Sequence, residues 1–278
     1  MLDFITLNDA ETSLATFNPS FDLQRVRDGT TDDDGLYLYR YVPLFLLLPS
    51  YKEREKLFMR SVNTWNDPYE ERLFRTKFCD DADGDEFHHP LLDHVYGTCF
   101  TTGYNHESQW RVYENAANGP IVLLTFEAKT LFEALSRQNR HFYIGAVHYF
   151  AQANIDKQVK QFVEADQQVY KWYKKGAQSD ELLKPLFIKR QAFSHEREVR
   201  LLTIDEAHKS DMLLAEVGNF MQLIKKVTIS PFCSVEWQEA QRGILQSVFP
   251  STKVSVSGLM RRYKSAPTIT INEWGVKE

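Results

Sequence analysis

Ser194-His195-Glu196-Arg197-Glu198-Val199-Arg200-Leu201-Leu202 sets two carboxylates two residues apart at the head of an apolar, strand-like run. Side chains on a strand alternate between faces, so Glu196, Glu198 and Arg200 are expected on one face and Val199, Leu201 and Thr203 on the other. Burial of the second face fixes the register and presents the charged row opposite it. Such a row is either a solvated outer face with cross-paired charges or part of a site, depending on what the rest of the chain brings to it.

The chain of 278 residues is 43% hydrophobic and 13% aromatic, enough for a sizeable core and against global disorder. Thirteen Tyr and nineteen Phe favour a fold with substantial sheet. The net charge of −5 lacks the basic footprint of a general nucleic-acid coat, so no obligatory nucleic-acid binding is indicated. Cys79, Cys99 and Cys233 are too few and too scattered for a disulfide or zinc framework, and a cytoplasmic setting is expected. The opening residues lack the pattern of a secretory signal, and the longest apolar run, Leu44 to Leu48, is too short to span a bilayer, so no membrane partner is expected.

Around the acidic row, Leu36 to Val42 reads as a strand from its aromatic and β-prone content. Further strands are expected at 58–62, 96–101, 121–126, 144–150, 198–204, 227–230 and 254–256. Helices are expected at 44–57 with a break at Pro49, and at 108–117, 130–136, 153–175, 179–191, 212–223 and 236–248. Residues 1–35 read as a polar N-terminal arm. With no linker in the remainder, residues 36–278 read as one α+β domain.

Nucleotide-binding glycine fingerprints and a nucleophile elbow are absent. The acidic run Asp80–Glu86 fails the calcium-loop register, because Gly84 at loop position six would put Cys79 at position one. The nearby histidines His88, His89 and His94 match no metal spacing, and no metal is expected. Trp65-Asn66-Asp67-Pro68-Tyr69-Glu70 is a turn by its chemistry, either structural or the rigid rim of a pocket, with Asn66 and Asp67 as pocket candidates. At the 108–117 helix, Gln109, Trp110 and Tyr113 could face a cleft, the alternative being that Trp110 and Tyr113 are core.

Leu38-Tyr39-Arg40-Tyr41, the turn at 65–70, Cys99-Phe100-Thr101, Trp110-x-x-Tyr113, Gly119, Lys189, Glu196-x-Glu198-x-Arg200 and Ile229-Ser230-Pro231, in that order, resemble an uncharacterised bacterial domain family over about residues 36–260. More distantly the chain resembles mono-ADP-ribosyltransferases, which use an Arg or His on a first strand, a Ser, Thr or Tyr on a middle strand and a Glu on a late strand. On that resemblance the fold would be a single α+β domain with a mixed or split sheet and several flanking helices. Arg40 would supply the first element, Thr101 or Thr102 the second, and Glu198, preceded by Glu196, the third. The middle strand departs from the family in lacking Ser-Thr-Ser.

The resemblance implies NAD as substrate. Cleavage of its nicotinamide–ribose bond passes through an oxocarbenium-like state, as in glycoside cleavage. Glu198 would stabilise the developing positive charge, and Glu196 would orient or deprotonate an acceptor, protein or nucleic acid. Arg40 would grip the diphosphate or ribose, and Tyr69 or Tyr104 would stack on nicotinamide. Arg200 is a further pocket candidate. Such enzymes often serve as bacterial toxins, effectors or phage-defence proteins. Two other classes compete: a non-catalytic ligand- or protein-binding module, and a metal-dependent nuclease using Asp67, Glu70, Glu196 and Glu198.

Overall fold

Strand-forming runs rich in β-branched and aromatic residues build the core of the protein. The computed structural model describes residues 5–6, 36–65, 67, 69–70, 76–79, 84–87, 89, 91, 93–117, 119–166, 180–261, 271–272 and 275–276. The strands in chain order are β1 (Ile5–Thr6), β2 (Tyr37–Pro43), β3 (Leu57–Ser61), β4 (Phe78–Cys79), β5 (Glu86–Phe87), β6 (Val95–Thr101), β7 (Ile121–Glu127), β8 (Phe142–Ala146), β9 (His148–Phe150), β10 (Ile188–Arg190), β11 (Glu198–Ile204), β12 (Met212–Ala215), β13 (Ile224–Ile229), β14 (Lys253–Val256), β15 (Ile271–Asn272) and β16 (Gly275–Val276). The α-helices are α1 (Glu107–Ala116), α2 (Ala128–Ser136), α3 (Gln152–Asp166) and α4 (Val235–Val248).

Among the described residues, ten strands form one mixed sheet whose main path runs β1-β8-β11-β6-β2-β7-β13-β14. Its pairs are antiparallel except β13 with β14. β3 also joins β6 and carries β12 on its other edge, so the sheet forks at β6. The α+β class with a mixed sheet and flanking helices is thus the observed architecture. Ile5–Thr6, from the N-terminal 35 residues, adds β1 to the edge at β8.

One face of the sheet packs Leu38, Phe100, Leu124, Phe126, Val199 and Leu201 against Leu131, Phe132 and Leu135 of α2 and Leu245 of α4. The opposite face is covered in two places. Leu182, Leu183, Leu186 and Phe187, in a 3-10 segment at Asp180–Phe187, pack over Leu202 and Tyr143. Trp110 of α1 packs over Tyr39, Tyr41 and Leu123. β11 is therefore buried on both faces, and its polar face is interior rather than solvated.

Three expected helices are corrected. Residues 44–57 form only a 3-10 turn at Leu44–Leu47 before β3 begins. Ile188–Arg190, inside the helix expected at 179–191, instead pairs with β9, and the segment before it is a 3-10 helix at Asp180–Phe187 that holds Pro185. Residues 212–223 hold β12 and a 3-10 turn at Phe220–Leu223, because pairing with β3 outweighs the helix propensity of Met-Leu-Leu-Ala. The expected strand at 144–150 is divided into β8 and β9, and the expected helix at 153–175 is described as far as Asp166. No helix among the described residues is long and apolar enough to cross a membrane.

Candidate functional site

The fork in the sheet opens a cleft. β6 pairs with β11 along its whole length, from Glu198 opposite Thr101 to Ile204 opposite Val95. On its other edge β6 meets β3 at Tyr96 and Gly97, and β2 only at Thr101. Among the described residues, Thr98, Cys99 and Phe100 therefore have no partner strand on that edge. Arg40 spans the gap, donating from Nη2 to the Phe58 carbonyl at 3.2 Å. The cavity there measures about 250 Å³ and is lined by Arg40, Arg60, Trp65, Cys99, Thr101, Gln109, Tyr113, Lys189, Glu196 and Glu198, with Tyr39, Tyr41 and Glu70 also contributing.

The acidic wall is built by a different local geometry from the one expected. Glu196 is not on the strand. It ends a 3-10 turn at Gln191–Glu196, Arg197 adopts a left-handed conformation (φ 45°), and β11 begins only at Glu198. A non-glycine residue at positive φ is uncommon, and here the turn is over-determined. Thr101 Oγ1 donates to the Glu196 carbonyl at 2.7 Å, Gln109 Nε2 donates to the same oxygen at 2.9 Å, and Thr102 N donates to the Arg197 carbonyl at 3.1 Å. The turn brings both glutamates onto one cation. Lys189 Nζ lies 2.6 Å from Glu196, 3.0 Å from Glu198 and 3.0 Å from Glu70.

Behind them Arg200, 1% exposed, pairs with Glu198 at 2.9 Å and with Glu70 at 2.8 Å. It also donates to the Leu186 carbonyl, and its guanidinium lies 4.3 Å from the Trp65 ring centre. Three carboxylates against two cations leave the ionised cluster with a net charge of −1. Burial alone would raise the Glu198 carboxyl, but Arg200 and Lys189 outweigh it and hold the group down at about 2. Glu196 is shifted the other way: burial pushes its carboxyl up, and Lys189 offsets this only in part. At 27% exposure it is the most open of the three carboxylates, against 6% for Glu198 and 7% for Glu70.

The other wall is cationic. Half-buried Arg40 makes no ion pair among the described residues, and burial lowers its pKa. Arg60 at the rim is exposed and likewise makes no ion pair among them. A half-buried guanidinium with donors to spare and no carboxylate is suited to an anion from solution, and its planar fork matches carboxylate or phosphate oxygens. Aromatic rings stand between the two walls, where Tyr41 stacks on Tyr113 at 5.2 Å and meets Trp110 edge-on at 4.9 Å.

Of the residues singled out in the sequence, Arg40, Glu70, Thr101, Gln109, Tyr113, Glu196 and Glu198 line this one cavity. Thr102 and Arg200 lie outside the lining, next to it in the chain or behind it. Trp110 is fully buried core, donating from Nε1 to Asn105. Tyr104 is outside the lining and accepts from Lys226 at 2.9 Å. Tyr69 is also outside it, set against the Arg190 guanidinium at 4.9 Å with its hydroxyl on Gln152. Asp67 pairs with Arg190 at 3.1 Å, and Asn66 lies outside the described residues. His88 is also outside them. Among the described residues no group of three His, Cys, Asp or Glu side chains is placed to hold a metal ion. The centre of the three carboxylates is filled by the Lys189 ammonium, which sequence reasoning did not place in the site.

Gly97, at the base of the fork, is there for close approach. A Cβ on it would lie 2.8 Å from both Leu202 Cδ2 and Trp65 Cζ2. Since the Trp65 ring stacks on Arg200, Gly97→Ala is expected to cost about 1–3 kcal/mol through overpacking. Thermal melting would register the loss, and tryptophan fluorescence should change with it. A variant that melts like the wild type would show that the Trp65 contact yields freely.

Comparison with known proteins finds a family model that matches part of the chain. The model of the family described as "Protein of unknown function (DUF2971)" matches residues 109–201, the stretch that runs from Gln109 through Lys189, Glu196 and Glu198 to Arg200 and Leu201. No curated protein matches. Among solved structures, Thermus sp. 2.9 DarT in complex with ADP-ribosylated ssDNA aligns with 81% of this chain and 95% of its own, at 14% identity and a TM-score of 0.36. The same protein in complex with NAD+ aligns with 82% of this chain and 98% of its own, at 15% identity and a TM-score of 0.35. Scores of this size transfer neither fold nor activity, so the function rests on the residues themselves.

Proposed function

We propose that the cleft binds NAD, breaks its nicotinamide–ribose bond and transfers ADP-ribose to a macromolecular acceptor. The observation that carries this is the convergence of Arg40 and Glu198 on one cavity, on either side of β6. A cation without a carboxylate on one side and a net-negative cluster on the other suit a substrate that is anionic at one end and becomes cationic at the reacting carbon. At about 250 Å³ the cavity is below the usual range for a whole drug-sized ligand. It suits the nicotinamide riboside end, with the diphosphate at Arg40 and Arg60 and the adenosine outside.

In the reaction the electron pair of the C1′–N bond leaves with nicotinamide, whose ring nitrogen becomes neutral, and C1′ becomes oxocarbenium-like. No proton is needed by the leaving group. Glu198, ionised at all ordinary pH, stabilises the positive charge at C1′ and the ribose hydroxyls beside it. The acceptor supplies its electron pair to C1′ and loses its proton to Glu196, the carboxylate whose burial keeps it protonatable. Thr101 acts by holding the Glu196 turn through its hydroxyl. Tyr113 offers an aromatic wall for the nicotinamide ring.

The competing reading, a non-catalytic binding module, draws on the pairing of Glu198 with Arg200 and Lys189, which is also how a purely structural charge network is built. Labelled NAD separates the two. Incubated with protein and cell extract, the wild type is expected to transfer label to an acceptor and also to hydrolyse some NAD. Glu196→Gln is expected to lower transfer by about 100-fold while sparing most hydrolysis, because its role is at the acceptor. Equal loss of both activities would remove the division of labour between the glutamates.

A further inference from the structure

We propose that Lys189 is the positioning residue of this site: by donating to Glu196 and Glu198 while ion-paired with Glu70, its ammonium fixes the spacing of the two glutamates and decides which of them exchanges a proton. The inference rests on the NAD-cleaving reading for its catalytic consequence, and on geometry for the rest. An ammonium has three protons and here three carboxylate partners, at 2.6, 3.0 and 3.0 Å. Glu198 and Glu70 each have a second cation in Arg200, whereas among the described residues Glu196 has only Lys189 as a charged partner.

The same contacts explain the turn at 67–70. Adjacent residues of β10 point to its two ends: Lys189 reaches Glu70, while Arg190 reaches Asp67 at 3.1 Å and the Tyr69 ring. Asp67 Oδ1 in turn accepts from Tyr69 N at 3.0 Å, which closes the turn. The acidic row and the turn, which are remote in sequence, are thus two halves of one mount for a single lysine.

Without the ammonium, three largely buried carboxylates would face Arg200 alone, and at least one must take up a proton. That one is Glu196. The other titratable and charged groups facing the cluster do not relieve it: Cys99 on β6 and Tyr149 on β9 are held neutral by burial, Tyr113 on α1 is a phenol and carries no positive charge, and Arg200 is already bound to Glu70 and Glu198. Arginine cannot stand in for the lysine. Its planar fork sends its donors into one plane, whereas the three carboxylates surround a point.

The test uses the full chain with 13C-labelled glutamate side chains, the Glu196 resonance being the one lost in Glu196→Gln. In Lys189→Met the Glu196 titration is expected to move up by about one pH unit or more. The acidic limb of the ADP-ribose transfer profile, measured with labelled NAD and cell extract, is expected to move with it, and the maximum transfer rate to fall by about 100-fold. Lys189→Arg is expected to keep the fold and still lose about 10-fold, since charge alone does not restore three-way positioning. If Lys189→Met fails to fold, the double variant Lys189→Met with Glu70→Gln removes one cation and one anion together and is read in the same way. A Glu196 titration unmoved in either variant would overturn the inference even with NAD turnover intact. Absence of NAD turnover in the wild type would end the enzyme reading instead, and the titration would still report whether Lys189 sets the protonation of Glu196.

Discussion

Glu198→Gln is expected to bind NAD nearly as well as the wild type and to release nicotinamide at least about 100- to 1000-fold more slowly, the size of loss seen when one preorganised electrostatic group is removed from a site. Gln keeps the shape and can still accept from Arg200, but it brings no negative charge to a cationic transition state. The effect should fall on kcat and not on KM, because the charge is needed only as C1′ becomes positive. The substitution also leaves Lys189 and Arg200 with one counter-charge fewer, and breaking a buried pair costs about 3–5 kcal/mol. Folding must therefore be followed by circular dichroism beside the kinetics. A folded variant with full turnover would remove Glu198 from the chemistry.

Arg40→Met is expected to do the reverse. The guanidinium is the one cation of the inner cavity that has no carboxylate among the described residues, so its loss breaks no ion pair. Removing a half-buried cation whose one hydrogen bond among the described residues is to the Phe58 carbonyl should leave the melting temperature unchanged or raised. NAD binding, by contrast, should weaken by about 10- to 100-fold, matching about 1.5–3 kcal/mol for charge-assisted hydrogen bonds to the diphosphate. Stability and binding moving in opposite directions is the mark of a residue kept for a ligand. Calorimetric titration with NAD, alongside thermal melts, reads both. Unchanged affinity would place the diphosphate elsewhere.

The strands that frame the cleft were legible because their signal is local. Leu36–Val42, Tyr96–Thr101 and Glu198–Ile204 are dense in aromatic and β-branched residues, and the structure places strands at Tyr37–Pro43, Val95–Thr101 and Glu198–Ile204. β12 was not legible, because Met212–Ala215 has the composition of a helix and is held extended only by β3, far away in sequence. The same holds for β10, three residues long and defined by its pairing with β9.

The two glutamates were visible as a pair, but the reason they converge was not. Period-two alternation put Glu196 on the strand, whereas one left-handed residue, Arg197, turns the chain before the strand begins. Nothing in the local sequence marks Arg197 for that conformation; Thr101 and Gln109 impose it from other elements. Lys189 escaped for a related reason. Its three partners come from the 67–70 turn, the 3-10 turn and β11, so its role exists only in the folded chain. The general signal was present nonetheless: a cluster of buried carboxylates requires a cation among them.

Whether the cleft cleaves NAD is tested most directly by incubating the purified wild-type chain with NAD and following free nicotinamide by chromatography. A slow, protein-dependent release of nicotinamide, matched by loss of NAD, is the result expected from Arg40 and Glu198 sharing one cavity. A folded protein that neither binds NAD by calorimetry nor releases nicotinamide would contradict it, and would leave Lys189, Arg200 and the three glutamates as a structural charge network beneath a binding surface.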